Sequence, residues 1–464
     1  MKRVVITLGI LIVLLAVGAW LTVSLSVGRF ADSDYLVRQI ESTFNCRAQI
    51  GDVKLNAYSA PARMEIVGLA FGPRDETVEK GILPSQRQPF AGSISIDYVM
   101  LELDRMPLFQ RKLVVTNLQV ERPTAELRIF DDGTNSLDDL LKPAPKRSNK
   151  TAAPTDEGTK APKSSEDDRQ FLATDIPISA IAERMAIEDL TVQATVEKSN
   201  TTVQLHRGVV VFRDIDLDPN SLTEHNSAKM EFSAWLGIDS FEHNLRYLDL
   251  SLEGNGDIQP FNVDSAQLDP SLSASVTVKR DSWIDALPLL DEMEDLIKQL
   301  ENYGVDMEGV RLRGDFSEDT TASFNANRQE LRMTTDFMVP IDENFVVLEQ
   351  GSWVNAGKND HQFFVTFLGS EKLTRKIETE VTKFLEKNVG ELAAIPAREA
   401  LMSTVKKRDF LVLRFKSTGD VGDPDVTAIT PFGDIADLLK NPKSDTMKSL
   451  EDTAKSLLDS LLGN

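Results

Sequence analysis

Along most of this chain apolar and polar residues alternate one by one, as expected of strands that bury a single face. Residues 93–99 set Ile94, Ile96 and Tyr98 against Ser93, Ser95 and Asp97. The same period places Leu248, Leu250 and Leu252 on one face of a second strand, and Leu411, Leu413 and Phe415 on one face of a third. Strand-like text begins at about Ala48. Three segments, MEIVGLAF, LVVTNLQV and MAIEDLTV, share an apolar alternation, a polar residue, then Leu and another apolar residue. That likeness predicts a repeated strand–turn–strand unit. Between Glu121 and Leu141 a strand stops at Asp-Asp-Gly-Thr-Asn and restarts as a short amphipathic helix. Within that strand Leu118 and Val120 have even parity, whereas Ala125, Leu127 and Ile129 have odd parity. The buried face must switch near Pro123, which predicts a bulge or bend there.

In four places the period lengthens to that of a helix. Leu36, Val37, Ile40 and Phe44 share a face, with Ser33 as the expected N-cap. After Pro288 the stripe is Leu290, Met293, Leu296, Ile297 and Leu300. Ser370 should cap a helix striped by Leu373, Ile377, Val381, Phe384 and Leu385 and stopped at Gly390. The last stripe is Met447, Leu450, Ala454, Leu457, Leu458, Leu461 and Leu462. Two readings of it are open: packing on the sheet, or contact with a membrane or partner. The second makes Leu450, Leu457, Leu458, Leu461 and Leu462 the outward-facing candidates, since a helix at the end of a sequence has fewer neighbours to cover it.

Residues 4–27 carry no charge. At about 1.5 Å per residue they can cross a hydrocarbon core of about 30 Å with some tilt. Lys2 and Arg3 precede them and Arg29 follows, which predicts a cytoplasmic amino terminus and an exported body. A cleaved signal peptide ending near Val17-Gly18-Ala19 is the alternative, but the apolar run continues past Ala19, longer than the usual 7–15-residue core of such a peptide. The expected organisation is a cytoplasmic 1–3, an anchor at 4–27 and a first β region at 28–141. A Pro-, Lys- and Ser-rich linker or loop follows at 142–170, then a second β region with inserted helices at 171–432 and an amphipathic helical stretch at 433–464. The linker holds too few large apolar residues to offset the entropy of ordering it.

Composition narrows the chemistry. Lys+Arg 51 against Asp+Glu 73 gives a net charge of -22, which repels nucleic acid and anionic headgroups alike. With one cysteine, Cys46, and four scattered histidines, neither a disulfide nor a structural zinc site can be built. Cys46 adjoins Arg47 but reads as a packing residue. Asp214, Asp216 and Asp218 have the spacing that opens a calcium loop, yet the sixth and twelfth positions hold Pro219 and His225 instead of Gly and Glu. A strand with Ile215 and Leu217 inward accounts for the same text. Lys406 to Arg408 reads as a solvated helix end. No nucleophile elbow, phosphate loop or dinucleotide fingerprint occurs. The expectation is therefore no catalytic residue, no cofactor and no metal.

The order of anchor, short helix, RAQIGDVKL, MEIVGLAFGP and LVVTNLQVERPTAELRIFDDGTNSLDDLL resembles the amino-terminal region of the AsmA family of inner-membrane-anchored envelope proteins. Pro123, Asp132-Gly133-Thr134-Asn135 and Leu137 to Leu141 carry the likeness, and FLVLRFKSTGDVGDPDV resembles the family's closing strand. Asn45-Cys46 stands where the family usually has Gly. The resemblance implies a mainly β fold with accessory helices: an amino-terminal transmembrane helix, then a long curved antiparallel sheet, taco-like around an apolar groove, with amphipathic helices at the carboxyl end. TamB-like relatives and chorein-type bridge proteins are thought to pass phospholipids along such a groove. It implies a single-pass inner-membrane protein, mostly periplasmic, that handles phospholipid acyl chains in outer-membrane or envelope biogenesis, with envelope proteins as partners. The groove candidates are Ile94, Ile96, Leu248, Leu250, Leu252, Leu411 and Leu413. The alternative is a non-catalytic structural or assembly factor with a filled β core. At roughly 16 strands spaced about 4.8 Å apart, the sheet is too short to bridge an envelope alone.

Overall fold

The computed structural model describes residues 32–56, 58–74, 82–90, 92–104, 107, 112–130, 134–137, 140, 172–173, 179–197, 200–240, 245–285, 313–355, 360–390, 394–395, 398–399, 402–403, 405–420 and 423–429. Among them the chain is mainly β, with twenty strands in one hydrogen-bonded sheet and few helices. No described helix is long and apolar enough to cross a membrane. The expected anchor at 4–27, the linker at 142–170, the stripe at Leu290–Leu300 and the final stripe all lie outside the described residues. The chain divides into two compact units, Met1–Leu245 with Leu252–Ser273, and Arg246–Ser251 with Ala274–Asn464.

The first unit begins with α1, Ser33–Thr43. Its N-cap is Asp32, one residue before the expected Ser33, because the Asp32 carboxylate accepts from Asp34 N–H at 2.9 Å. Val37 is buried, and Leu36, Ile40 and Phe44 pack beside it, as their spacing requires. The strands β1 (Cys46–Asn56), β2 (Ala62–Pro73), β3 (Ile94–Asp104) and β4 (Lys112–Ile129) form an antiparallel meander. At β4 the pattern departs from the expected antiparallel sheet. It pairs in parallel with β5 (Ser179–Val196), from Lys112↔Ser179 to Ile129↔Val196. A parallel neighbour requires the chain to return to the starting end of the strand, which residues 130–178 accomplish. Antiparallel pairing then resumes through β6 (Thr201–Leu217) and β7 (Asn226–Ser240). A turn closed by Asn262 N–H donating to Gln267 O at 2.9 Å joins β8 (Leu245–Phe261) to β9 (Leu268–Val278).

The start of the return segment shows what the Asp-Gly-Thr-Asn design does. Pairing with β3 ends at Ala125, which leaves the last residues of β4 with an open edge. The chain folds back onto that edge: Phe130 N–H donates to Thr134 O, and Ser136 N–H to Arg128 O, both at 2.9 Å. Leu137 and Leu140 then drop into the core, 1% and 3% exposed. The segment protects a strand edge and covers apolar surface at once.

A transverse crease crosses this unit. Register places Gly51, Gly68, Asp97, Arg122 and Asp189 opposite one another on β1 to β5 and meets β6 at Arg207–Gly208. Gly68, Arg122, Asp189 and Arg207 all have positive φ, between 48° and 68°. Each strand changes its buried parity at that row. On β3 the core residues run Ile94, Ile96, then Val99, Leu101; on β5 they run Met185, Ile187, then Leu190, Val192. A left-handed residue on β2, β4, β5 and β6 shifts the alternation by one there, β1 and β3 shift in step at Gly51 and Asp97, and because neighbouring strands shift together the register survives. The expected switch at Pro123 is therefore real but lies at Arg122, and Tyr98 yields its buried place to Val99. Two of the three look-alike segments, MEIVGLAF and MAIEDLTV, straddle this row inside unbroken strands, so they are crease signatures and not strand–turn–strand units. LVVTNLQV marks a second, shorter crease, where Thr116 meets a register shift in β3. Arg122 Nε reaches Asp97 Oδ2 at 2.7 Å on the exposed side of the crease.

The second unit contains β10 (Trp283–Asp285), β11 (Arg313–Asp315), β12 (Thr320–Ala326), β13 (Glu330–Met333), β14 (Phe337–Ile341), β15 (Asn344–Leu348), β16 (Trp353–Asn355), β17 (Asp360–Gly369), β18 (Lys406–Lys407), β19 (Phe410–Asp420) and β20 (Asp423–Ala428). Its strands pair antiparallel: β12–β13–β16–β17–β19–β20 run side by side, and β14–β15 joins on β17. Helix α2, Glu371–Val389, follows the sequence closely. Ser370 accepts from Leu373 N–H at 3.3 Å, and Gly390 ends the helix at φ 89°. Val381 and Leu385 pack with Leu411 and Leu413. The basic run Lys406 to Arg408 is a tight turn into β19, with Arg408 at φ 61°, and not a helix end.

Candidate functional site

The seven sequence-derived groove candidates separate into two groups. Ile94 and Ile96 belong to the buried core that α1, Leu137 and Leu140 fill. Leu411 and Leu413 lie in the cluster under α2. These four have protein side chains for neighbours. Leu248, Leu250 and Leu252 are half-buried on β8 and belong to no buried cluster among the described residues. Leu450, Leu457, Leu458, Leu461 and Leu462 lie outside the described residues.

The apolar face of the first unit extends beyond its filled core. Leu205 and Val210 of β6 pack against that core. Across the β6–β7 ladder Leu205 stands opposite Leu236, Val210 opposite Phe232, Phe212 opposite Met230, and Val203 opposite Ile238. Directly opposed residues share a face, so β7 presents Met230, Phe232, Leu236 and Ile238 on the core side while Lys229, Glu231 and Trp235 face out and are exposed. These four are half-buried and join no buried cluster among the described residues. From Met230 to Ile238 the strip runs about 27 Å at about 3.4 Å per residue. One leaflet of a bilayer core is about 15 Å thick. The strip can therefore lie along a whole acyl chain, and it offers no polar group for chemistry. Sequence reading passed over it, although Ala228, Met230, Phe232, Ala234, Leu236 and Ile238 alternate without a break; the small alanines hid the pattern.

In the second unit α2 covers only one end of an equivalent face. Phe363, Val365 and Phe367 alternate along β17, opposite Ser417, Phe415 and Leu413. Phe367 and Phe415 pack under the helix, whereas Phe363 and Val365 are half-buried outside that cluster. Buried His361 closes the far end, with Nδ1 2.8 Å from Gly419 O and Nε2 2.7 Å from Ser417 Oγ.

Several charged groups are engaged in local pairs. Asp214 holds Lys229 at 2.9 Å, Asp216 holds His225 Nδ1 at 2.7 Å, and Asp218 accepts from Asn220 N–H at 3.0 Å. The hydrogen bond to Asp216 raises the His225 pKa, and the Asn220 amide lowers that of Asp218. Glu349 is lowered by the forked Arg414 guanidinium, which reaches it at 2.9 and 2.5 Å. Glu41 and Arg87 form an ion pair at 2.5 Å with side chains only 12% and 10% exposed, which straps residues 82–90 to α1. Among the described residues no group of three His, Cys, Asp or Glu side chains could hold a metal ion. Cys46 is buried at the start of β1. No family model, curated protein or solved structure matches this chain.

Proposed function

We propose that this protein is anchored in the inner membrane through residues 4–27, extends into the periplasm, and holds phospholipid acyl chains on an apolar sheet face in the service of envelope biogenesis, without catalysing a reaction. The observation that carries this reading is the half-buried strip of Met230, Phe232, Leu236 and Ile238, which continues the core face beyond the core. The charge of -22 agrees with it, because a headgroup left in water needs no basic cradle. Mass spectrometry of lipid released from the purified full chain tests it. Phospholipid should be recovered near one per protein and fall at least fivefold in Phe232→Asp. Absence of lipid from the parent protein would exclude the holding role.

A second reading is favoured by the packing of Ile94, Ile96, Leu411 and Leu413. In it the sheet is a filled scaffold for envelope assembly. It expects no bound lipid, so the same measurement separates the two.

A further inference from the structure

The apolar face of the second unit continues past the reach of α2. Val426 of β20 stands opposite Ser417, on the same face as Phe363 and Val365. It is 59% exposed. β13 and β16 extend the same face on the other side, through Leu331 opposite Val354, both half-buried. The chain leaves the described residues at this face. Ile429 N–H still donates to Arg414 O at 2.8 Å, and residues 430–464 follow directly.

We infer that the amphipathic stretch 447–462 docks on this strip as a second helix, beside α2. Three observations select that occupant over a membrane. The stripe of Met447, Leu450, Ala454, Leu457, Leu458 and Leu461 has the same spacing logic as the α2 face that covers Leu411 and Leu413. The polar side of the stretch carries Lys448 and Lys455 against Asp452 and Asp459, with Glu451 at the edge of the stripe. Helices that lie in a membrane interface are instead rich in Lys and Arg on that side. The dimensions also agree. A helix over 447–462 is about 24 Å long, and the five strands from β13 to β20 span about 19 Å at about 4.8 Å per spacing. Residues 430–446 can extend to about 55 Å, so the connection does not limit the docking. The inference is independent of lipid binding on the first unit.

Cysteine pairs in the full chain test it, in a Cys46→Ala background. Under mild oxidation Val426→Cys with Leu458→Cys should form an intramolecular disulfide at least tenfold faster than Val426→Cys with Ser456→Cys, whose second thiol lies on the polar side. Equal rates, or disulfide dimers only, would overturn the docking. Hydrogen exchange provides a check that needs no cross-link. Leu458→Asp should speed exchange at residues 363–365 and leave residues 94–101 unchanged. Protection unaltered at 363–365, or quenching of a Leu458→Cys label by nitroxide lipid in phosphatidylethanolamine–phosphatidylglycerol vesicles, would assign the stretch to the membrane instead.

Discussion

A carboxylate placed at Val120 and one placed at Phe232 should have opposite consequences, although both sites lie on the core-bearing face of the first unit. Val120 is 0% exposed, with the core packed on it. Val120→Asp loses about 1.5–2 kcal/mol of apolar transfer and buries an unpaired charge at a further cost of about 3–5 kcal/mol. The total approaches the whole stability of a typical domain, about 5–15 kcal/mol. Phe232 is half-buried, so its carboxylate can stay hydrated, and the loss reduces to part of the phenyl burial, about 1–2 kcal/mol. Circular dichroism melts of the two variants, paired with lipid quantification, distinguish the sites. Val120→Asp should lack a cooperative transition at 25 °C. Phe232→Asp should melt cooperatively within several degrees of the parent while its lipid falls. Loss of the transition in Phe232→Asp would mean that protein covers the strip, and the proposed holding surface would be wrong. A cooperative, unshifted melt of Val120→Asp would refute the filled core.

Two glycines on the crease should fail for different reasons. At Gly68, φ 68°, a Cβ has room but the backbone is strained, so Gly68→Ala should cost about 1 kcal/mol in urea unfolding; at Gly51 a Cβ would sit 2.9 Å from Val67 O, so Gly51→Ala should also cost stability, and neutrality of both would remove the crease as a constraint. Replacing the α2 cap, Ser370→Ala, should cost about 1 kcal/mol, checked by the same unfolding curves. His225 should titrate above the usual imidazole value of about 6.5, and NMR should show Asp216→Asn bringing it down. Since its folded pKa is raised, the pair contributes below the unfolded imidazole pKa and its contribution disappears as pH rises through the folded value. An unchanged titration in Asp216→Asn would dismiss the pair.

The helices were the most legible elements. In α2 the cap, stripe and stop are all local signals: Ser370 and Gly390 occur where expected, and Ile377, Val381 and Leu385 of the stripe pack inward. The α1 cap moved by one residue because Asp32 and Ser33 are both good caps and only the backbone turn chooses between them. Strand existence was equally readable, but face assignment failed at the crease. Tyr98 follows Ile94 and Ile96 perfectly in period two, and nothing at Asp97 announces a shift, because the matching left-handed residues sit on neighbouring strands as Gly68 and Arg122. Arg carries no sequence signature of that conformation, so the signal is visible only when strands are stacked in register. The parallel β4–β5 seam was hidden for the same reason: pairing partners are a property of the assembled sheet. The face candidates followed clean alternation, yet alternation also describes filled cores, which is why Ile94 and Leu411 proved to be packed while the β7 strip went unnoticed.

That parallel seam carries a consequence for how the chain reaches its native state. β5 and β6 are joined by a four-residue connection, 197–200, whereas roughly fifty residues intervene between β4 and β5. On the logarithmic cost of closing a loop, the seam is disfavoured relative to that hairpin by about 2 kcal/mol. The meander β1–β4 and the meander β5–β7 should therefore form first as separate sheets, each with its own half of the crease, and zip together afterwards from Lys112–Ser179 to Ile129–Val196. Val115 and Ala182, paired across the seam, should then show folding φ-values near zero while residues within each meander show higher ones. Values near one at the seam would reverse that order. A chain on such a route passes through a stage with two unmated strand edges in water, and the interval before they meet is when it is most exposed to pairing with the wrong neighbour.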